Sequence, residues 1–453
     1  MSRLQIFAVL VVLTAVPVSR VAAAQELIPL PGRFAFSEQG SVSIAVTLKE
    51  SDGAVILPWP SPSANWDTAL LQVWVSTDPS ASSPFVEIVS EGVSNRQHFS
   101  AGESGERWLN LSFLRGPAKP GVEVVLRGEG ATIASRGAQL RLFAGSPDLS
   151  KTMLVLAPHP DDAEIAAFGL YAQRRATVVT VTAGNAGSPT YEAVFDDPAE
   201  QYWFKGRIRV IDSITVPWQG GIPPERTFNM GYFDARLADM HEKRKEAVPE
   251  MYRPNADIAV YRKENIGSLL PKGARESNWE NLVDDMLTLL KKVKPAVIVA
   301  PHPQLDSHRD HQFTTVALTE ALARWKKDVT LLLYTNHADS NRYPYGPAGT
   351  IMSMPPPAPA GDVRFDRVYS HPVTPQVQRL KLFALESMHD LRYTPTRQYQ
   401  LAKGEERATA PEKIGPEPDI TYLRRGPRSN ELFFVYDQES VKPVIEEFLK
   451  SRK

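Results

Sequence analysis

The hydrophobic period of the chain changes once, near residue 148, and this change limits the folds that the chain can adopt. Before that point apolar residues alternate with polar ones, as in residues 41–46 and 71–75. After it, continuous apolar runs such as residues 153–157 and 295–300 are followed by stretches with helical spacing. Alternation is typical of half-buried strands, whereas continuous runs are typical of strands buried on both faces. We therefore expect two units of different architecture.

The first unit, residues 25–148, is predicted to be an all-β sandwich, because its short strands are separated by turn residues and no helical stripe of useful length occurs. Sandwiches of this size often bind sugars, but a fold does not by itself imply a function. Trp66, Trp74 and Trp108 could stack on a sugar ring; we favour the alternative that they fill the core of the sandwich.

The second unit, residues 149–453, is predicted to be an α/β domain with a parallel sheet flanked by helices, because strands and helices alternate. The predicted strands are residues 153–157, 177–181, 295–300, 329–334 and 431–436, and the predicted helices are residues 163–175, 279–293, 310–325, 376–388 and 441–450. Residues 184–278 read as irregular. Residues 352–361 form a proline-rich loop, which is either an active-site rim or a solvated connector.

The N-terminal residues 1–24 have the pattern of a secretory signal peptide: Arg3, an apolar run over residues 4–18 and three alanines at residues 22–24. The apolar run is shorter than the roughly 20 residues that a membrane-spanning helix needs. We therefore expect cleavage before Gln25 and an exported protein, periplasmic or secreted, without stable membrane insertion.

The composition excludes several classes of function. The net charge is −1, from 51 basic and 52 acidic residues, so the chain lacks the excess of positive charge that is typical of proteins that bind nucleic acid. The absence of cysteine excludes disulfides, a cysteine nucleophile and iron–sulfur ligation. Any metal site must be built from carboxylates and the nine histidines. The phosphate-binding motif Gly-x-x-x-x-Gly-Lys-Ser/Thr and the hydrolase motif Gly-x-Ser-x-Gly do not occur, which disfavours phosphoryl transfer and serine hydrolysis.

Two polar segments, residues 157–164 and 301–311, each follow a predicted buried strand and hold four of the nine histidines. Ligands bind beyond the carboxyl ends of strands in open α/β sheets, so we expect the two segments to meet there. Histidine and carboxylate ligands suit zinc. Of two adjacent aspartates, one can bind the metal while the other takes a proton from water. Taken singly, each segment could instead be a turn or a helix cap.

At these residues the chain resembles the LmbE/PIG-L family of zinc-dependent de-N-acetylases. The first motif reads His159-Pro160-Asp161-Asp162-Ala163-Glu164, with an alanine inserted before the acid. The second reads His308-Arg309-Asp310-His311 and is preceded by Asp306. Residues 279–285 and 381–387 are also similar to the family. The resemblance covers roughly residues 149–440.

The resemblance implies a Rossmann-like fold and a set of roles. His159, Asp162 and His311 would bind Zn²⁺, and Asp161 would be the general base. His308 would stabilise the oxyanion or protonate the leaving amine, and Asp310 would orient His308. Candidates for substrate contact are Arg209, His302 and His337. Arg209 with Asp212 is the nearest match to the family's Arg-x-x-Glu helix, although residues 210–216 read more like a strand.

The implied reaction is removal of the N-acetyl group from an N-acetylhexosamine unit of a glycan or glycoconjugate. Two alternatives stay open at this stage. One is hydrolysis of another amide, in a pseudodisaccharide or an acylated glycoside. The other is a non-catalytic exported glycan-binding protein. Iron or cobalt could replace zinc in a site of this composition.

Overall fold

The computed structural model describes most of the chain, namely residues 28–29, 34–37, 40–61, 65–115, 119–186, 191, 194–339, 342–356, 363–391 and 425–452. The predicted signal peptide, residues 1–24, lies outside the described residues, as does the end of the proline-rich loop, residues 357–361. Within the described ranges, no helix combines the length and the apolar character needed to cross a membrane.

The N-terminal half consists of strands. Two five-stranded sheets form in the orders β1-β9-β6-β11-β3 and β4-β5-β10-β7-β8. Leu71 and Leu140 of the first sheet and Ile88 and Leu126 of the second are fully buried in one shared core. The predicted β-rich N-terminal region is confirmed. The strands are β1 (Ile28–Pro29), β2 (Phe34–Phe36), β3 (Ser41–Ala45), β4 (Lys49–Ser51), β5 (Ala54–Pro58), β6 (Thr68–Thr77), β7 (Phe85–Ser90), β8 (Val93–His98), β9 (Glu103–Asn110), β10 (Glu123–Glu129) and β11 (Ala131–Phe143).

The three tryptophans that are predicted to fill the sandwich core, out of four in this half, have different surroundings. Trp66 packs against the sandwich core, as predicted. Trp108 is buried on the opposite face of its sheet, where its ring meets Phe36 at 4.9 Å between centroids. It belongs to the core of the C-terminal half, so the prediction that it fills the sandwich core is wrong. Trp74 is 40% exposed, so the prediction that it fills the core is wrong. The alternation of β6 explains this: Leu71, Val73 and Val75 point into the core, and position 74 points away from it.

The C-terminal half contains a seven-stranded sheet in the order β14-β13-β12-β15-β16-β19-β18. A separate short strand, β17, pairs with β2 of the N-terminal half. The strands are β12 (Met153–Ala157), β13 (Ala176–Thr182), β14 (Thr227–Tyr232), β15 (Val297–Pro301), β16 (Thr330–Tyr334), β17 (Val363–Phe365), β18 (Arg367–Pro372) and β19 (Asn430–Asp437).

The sheet is mixed, which corrects the prediction of a parallel, Rossmann-like sheet. Strands β12 to β16 run parallel. Strand β19 is antiparallel to β16, and β18 is antiparallel to β19. A continuous apolar run such as residues 432–436 indicates that a strand is buried, but it carries no information on the strand's direction.

Helices cover both faces of this sheet. Apolar side chains of α5, α6 and α8 pack on one face, and those of α1 and α7 pack on the other. The helices are α1 (Asp162–Tyr171), α2 (Pro198–Thr215), α3 (Leu237–Lys243), α4 (Ala259–Arg262), α5 (Trp279–Val293), α6 (Arg309–Trp325), α7 (Pro375–Ser387) and α8 (Val441–Lys450). Short 3₁₀ segments lie at Ser112–Leu114, Val216–Gly220, Pro224–Arg226 and His389–Leu391.

The stretch predicted to be irregular, residues 184–278, contains α2, α3, α4 and β14. The predicted strand at residues 210–216 is also wrong, because residues 210–215 belong to α2. The side chain of Asp197 caps α2 and Pro198 occupies its first turn, both of which favour a helix start. Val210 and Ile214 are then four residues apart on one buried face.

The strand order fixes the position of the candidate site. From β12 the chain moves outward to β13 and β14, and from β15 it moves in the opposite direction to β16. The crevice between the carboxyl ends of β12 and β15 is therefore the point where the order reverses, which is where open α/β sheets bind ligands. Both predicted polar segments begin at these two strand ends.

Candidate metal centre

The first polar segment makes a tight turn from β12 into α1. The backbone N–H of His159 donates to Oδ2 of Asp162 (2.8 Å), and the N–H of Asp162 donates to the carbonyl of His159 (3.3 Å). Asp161 lies at the helix start with φ of 111°, a conformation that L residues rarely adopt, and its side chain does not cap the helix. Such strain is found where surrounding structure holds a functional side chain in place.

Three donor atoms from the two segments converge. Nδ1 of His159 is 3.2 Å from Nε2 of His311 and 3.2 Å from Oδ2 of Asp162. Nε2 of His311 is 3.0 Å from the same Oδ2. A tetrahedral metal site with bonds of about 2.1 Å separates its ligand atoms by about 3.4 Å. Two imidazole nitrogens and one carboxylate oxygen at this spacing fit a divalent cation.

The charges around this cluster also favour a cation. Burial opposes a positive charge on His159, but the neighbouring carboxylates of Asp234, Asp162 and Asp310 raise its pKa well above the ordinary value. Burial likewise works against the charge of Asp162, yet His311 and His159 hold its pKa well below the usual range. The pocket therefore accepts positive charge, and metal binding there would displace protons.

Each of the three candidate ligands is held in place through its other polar atom. Nε2 of His159 lies 3.1 Å from Oδ1 of Asp234. Nδ1 of His311 lies 3.0 Å from Oδ2 of Asp306. Nδ2 of Asn336 donates to Oδ1 of Asp162 (2.8 Å). Carboxylates that orient ligating histidines in this way are a general feature of metal sites.

Asp310 does not orient His308 through its side chain, contrary to the prediction. Its carboxylate lies 3.3 Å from Nε2 of His159 and accepts the backbone N–H groups of Ala235 (2.6 Å) and Leu237 (3.2 Å). Its backbone N–H donates to Nδ1 of His308 (3.2 Å). Asp310 is the second residue of α6, and in this position its side chain points back towards β12 while its backbone faces the residue that caps the helix.

Asp161 pairs with Arg209. Nη2 of Arg209 lies 3.0 Å from Oδ2 of Asp161 and donates to the carbonyl of Pro160 (2.6 Å), while Nη1 donates to the carbonyl of Gly184 (3.0 Å) and lies 3.0 Å from Asp390. Both terminal nitrogens of the guanidinium thus contact protein atoms. Burial raises the pKa of Asp161 to about 7, against the opposing effect of Arg209. A carboxyl group with this pKa suits general base catalysis near neutrality.

Two further histidines border the cluster. The ring of His308 lies 4.6 Å from that of His159, and the ring of His337 lies 4.6 Å from that of His311. His308 forms a set of potential metal ligands with His159 and His311, and His337 forms a second set with Asp162 and His311. Within each set the potential ligand atoms lie within 4.8 Å of one another. Burial and the neighbouring histidines lower the pKa of His308 to about 3, so its imidazole is neutral at neutral pH.

His302, a predicted substrate contact, lies outside the site. Its side chain is fully buried among Phe365, Phe434 and Tyr436, with Nε2 3.0 Å from the tyrosine hydroxyl. Its Nδ1 accepts the backbone N–H of Leu305 (3.3 Å). His302 directly follows β15, and the aromatic side chains that cover this end of the strand enclose its ring. The side chain therefore cannot reach a substrate.

Sequence reasoning missed Asp234 and Asn336. Asp234 follows β14, and Asn336 follows β16, so both lie at the same edge of the sheet as the two motifs. The end of the predicted strand at residues 329–334 is the signal that could have found Asn336. Asp234 lies in the stretch that was predicted to be irregular, so no such signal pointed to it. Glu164, the acid of the first motif, is engaged away from the cluster: its carboxyl group accepts a hydrogen bond from the hydroxyl of buried Tyr171 (2.8 Å).

The fold and the site define an α/β protein with a candidate metal centre of histidines and carboxylates at the carboxyl ends of its parallel strands. Residues 154–322 match the family model described as PIG-L, GlcNAc-PI de-N-acetylase, so this segment is a PIG-L domain, and the resemblance seen in the two His/Asp motifs is confirmed. The similarity of residues 381–387 to the family stays a prediction, because these residues lie outside the matched segment. No curated protein matches the chain.

Similar solved structures include a 4-carboxy-2-hydroxymuconate hydratase from Pseudomonas putida, with 12% identity over 63% of this chain and 95% of that one, at a TM-score of 0.29. A family two carbohydrate esterase from Cellvibrio japonicus has 11% identity over 78% of this chain and 97% of that one, at a TM-score of 0.13. At these scores, neither likeness bears on fold or function.

Proposed function

We propose that the chain is a divalent-metal-dependent hydrolase, with zinc as the metal, that removes the N-acetyl group from an N-acetylhexosamine unit of a glycan or glycoconjugate. The PIG-L domain supports deacetylation of GlcNAc-type substrates. The observation that carries the proposal is the triangle of His159, Asp162 and His311. Asp161, whose side chain is 13% exposed, directly precedes Asp162 in the chain.

His159, Asp162 and His311 would hold the metal, which supplies a Lewis acid that polarises the amide and acidifies water. Asp161 acts as the base. Its pKa of about 7 lets it take a proton from the attacking water. Arg209 positions Asp161, because it ties the carboxylate to the carbonyl groups of Pro160 and Gly184.

His308 donates a hydrogen bond to the acetamide oxygen as that oxygen gains negative charge. The backbone N–H of Asp310 donates to Nδ1 of His308, so Nδ1 is an acceptor and the single proton of the neutral ring is on Nε2. A neutral donor next to the cluster stabilises a developing oxyanion.

The balance of the reaction follows from these roles. The water oxygen bonds to the carbonyl carbon, and the carbon–nitrogen bond breaks. Asp161 passes the proton that it received to the departing nitrogen, which leaves as the free amine of the sugar. The other product is acetic acid, which carries the second water proton and releases it to the amine or to solvent to give acetate. No other group is consumed.

The test is acetate release from N-acetylglucosamine oligomers by the purified full-length protein, with its metal content measured. We expect release by the parent protein and a loss of at least about 100-fold in Asp161→Asn with the metal retained. Asp284→Asn, at a partly exposed position on α5, is the matched control and should behave like the parent. Absence of acetate from a metal-loaded parent contradicts this substrate, and loss of metal in Asp161→Asn contradicts the assigned base.

We also propose that the protein is exported, on the strength of residues 1–24 alone. Expression of the full sequence in a bacterium should give a periplasmic or secreted protein whose N-terminal residue is Gln25. A protein that stays in the cytoplasm with residues 1–24 intact would contradict export.

A further inference from the structure

A cleft of about 270 Å³ lies where the two halves of the molecule meet, away from the metal centre. We call it the seam cleft. One wall is the outer face of the first sandwich sheet, and the other is the segment of residues 343–356 that follows β16. The residues used below line it: Gln72, Trp74, Ser104, Glu106, Tyr345 and Ser353. None of these belongs to the candidate metal centre.

The sheet wall presents an exposed aromatic ring among short polar groups. In the register of β6 and β9, Trp74 is opposite Glu106 and Ser76 is opposite Ser104, so these side chains share the outer face. Nε1 of Trp74 donates to Oγ of Ser104 (3.2 Å), which orients the indole. The C-terminal half covers this face at Trp108 but leaves Trp74 40% exposed.

The opposite wall is held in position by hydrogen bonds. The hydroxyl of Tyr343 donates to the carbonyl of Ser353 (2.6 Å), and Oγ of Ser353 donates to the carbonyl of Trp108 (2.5 Å). The hydroxyl of Tyr345 donates to Oδ2 of Asp339 (2.7 Å). The cleft is therefore preformed, and a ligand would not have to order the chain on binding.

The charges at the seam cleft favour a neutral ligand. Arg107 and Glu103 form a buried ion pair at 3.1 Å, so their charges offset each other. Glu106 remains as an exposed acceptor on the sheet wall. A polyanion such as nucleic acid would meet this carboxylate and no unpaired basic side chain among the described lining residues.

We propose that the seam cleft binds a pyranose ring of a neutral glycan. Trp74 would stack on the apolar face of the ring, and Ser104, Gln72 and Glu106 would bind its hydroxyl groups. Exposed aromatic rings with a few adjacent polar groups are typical of small-ligand sites, and a volume near 300 Å³ is at the lower end of their range. This cleft therefore holds a short stretch of the glycan.

The inference rests on the proposed function, since the ring would belong to the glycan that is deacetylated at the metal centre. His337 at the metal centre and Tyr343 at the cleft are six residues apart, and six extended residues span roughly 20 Å at most. This upper limit on the separation is comparable to the length of a short oligosaccharide. The cleft would then give the enzyme a preference for oligomers over single sugars.

The experiment measures binding of the N-acetylglucosamine tetramer, and of the tetramer of glucose, to the full-length protein by titration calorimetry. All proteins carry Asp161→Asn so that turnover does not contribute heat. Trp74→Ala should weaken binding about tenfold, the effect of losing one stacking contact. Trp218→Ala removes a tryptophan of similar exposure, 39%, elsewhere on the surface and should leave affinity unchanged. Glu106→Gln should weaken binding a few-fold and keeps the shape of the side chain.

Equal affinity of the Trp74→Ala protein and its parent overturns the proposal, provided that thermal melting shows both to be folded. The proposal is also overturned if neither tetramer binds to the protein that carries Asp161→Asn alone. It is overturned as well if Trp218→Ala weakens binding as much as Trp74→Ala does. Failure of the proposed function gives a different result. If binding depends on Trp74 but the protein with intact Asp161 releases no acetate, the deacetylase activity is refuted and the glycan-binding role of the seam cleft stands. Acetate release without dependence of binding on Trp74 would refute the cleft alone.

Discussion

Nδ1 of His159 lies 3.2 Å from Nε2 of His311, although the two residues are 152 positions apart in the chain. The pairing of β12 with β15 accounts for this, because the two parallel strands deliver their carboxyl ends to one crevice. Both imidazoles then meet the same oxygen of Asp162. The candidate centre is therefore built by the sheet and does not use a ligand from the sandwich.

Asp306 holds the ring of His311 through Nδ1, so Asp306→Asn should weaken metal binding about 10-fold to 100-fold. The amide oxygen keeps an acceptor for the backbone N–H groups of Asn336 and His337. The variant loses the negative charge that supports the imidazole, and it also loses the acceptor for the backbone N–H of His308 at the position of Oδ1. Competition with a chelator of known affinity measures the change. Asp284→Asn is the control, and equal affinities of the two variants would contradict the role of Asp306.

Gly184 has a left-handed backbone, with φ of +63°, and faces the guanidinium of Arg209, which pairs with Asp161. A Cβ at this position would lie 2.6 Å from Nη1 of Arg209 and 2.8 Å from Cδ of Pro160. Gly184→Ala should therefore displace the guanidinium and lower kcat at least about tenfold while the metal stays bound. Gly273→Ala is the matched control, because a Cβ there meets no atom within 4 Å. Unchanged kcat in Gly184→Ala would show that the turn tolerates the shift.

The sequence predicts the elements whose burial pattern is unambiguous. The bounds of β12, α5 and α8 agree with prediction, because a continuous apolar run or a clear helical stripe identifies each of them. Helix α2 was missed because Val210, Ile211, Ile214 and Val216 favour a strand by propensity, and tertiary packing of one face overrides that preference.

The motifs also point to the three convergent donor atoms, since each motif begins at the end of a predicted buried strand. The surrounding shell is harder to predict. Asp234 and Asn336 lie in no motif, and their contacts with His159 and Asp162 arise only when β14 and β16 join the sheet. The position of the Asp310 carboxylate against His159 likewise depends on the orientation of α6, which local sequence does not encode.

Arg209 supplies a positive charge 3.0 Å from Asp161, so its removal should raise the pKa of that carboxyl group. The base must be ionised, and the acid limb of the kcat/KM profile should therefore move to higher pH in Arg209→Met. A shift of one pH unit would lower kcat/KM about tenfold on that limb. Arg209→Lys keeps the charge and should shift the limb less. Identical acid limbs in both variants and the parent would contradict this coupling.

Two buried histidines predict a loss of stability in acid. Burial lowers the pKa of His302 to about 3, and burial with the charge of Arg428 lowers that of His98 to about 4. Histidine in the unfolded chain titrates near 6.5, so as the pH falls from about 6.5 to 4 only the unfolded chain takes up these protons. Each histidine therefore makes its full contribution to the free energy of unfolding above about pH 6.5. Below that pH the contribution decreases, with a slope of at most about 1.4 kcal/mol per pH unit.

His302→Gln should remove one such contribution. Urea unfolding between pH 4.5 and 7.5, with chelator in every sample, compares the slopes of stability against pH. The variant is expected to be less stable at neutral pH, because the glutamine disturbs the packing against Phe434, but its stability should fall less steeply in acid. Parallel curves for parent and variant would show that His302 is not the source of the slope.

His308 serves two roles that one substitution separates. Its Nδ1 caps α6 by accepting the backbone N–H of Asp310, and its Nε2–H is the proposed oxyanion donor. Asparagine is a good helix cap, so His308→Asn should keep α6 intact while removing the donor. We expect kcat to fall about 10²-fold to 10³-fold, with KM and metal content little changed. His308→Ala should lose the cap as well and cost about 1 kcal/mol of stability. If His308→Asn instead loses metal, His308 is a ligand in the group that it shares with His159 and His311, and the oxyanion role is wrong.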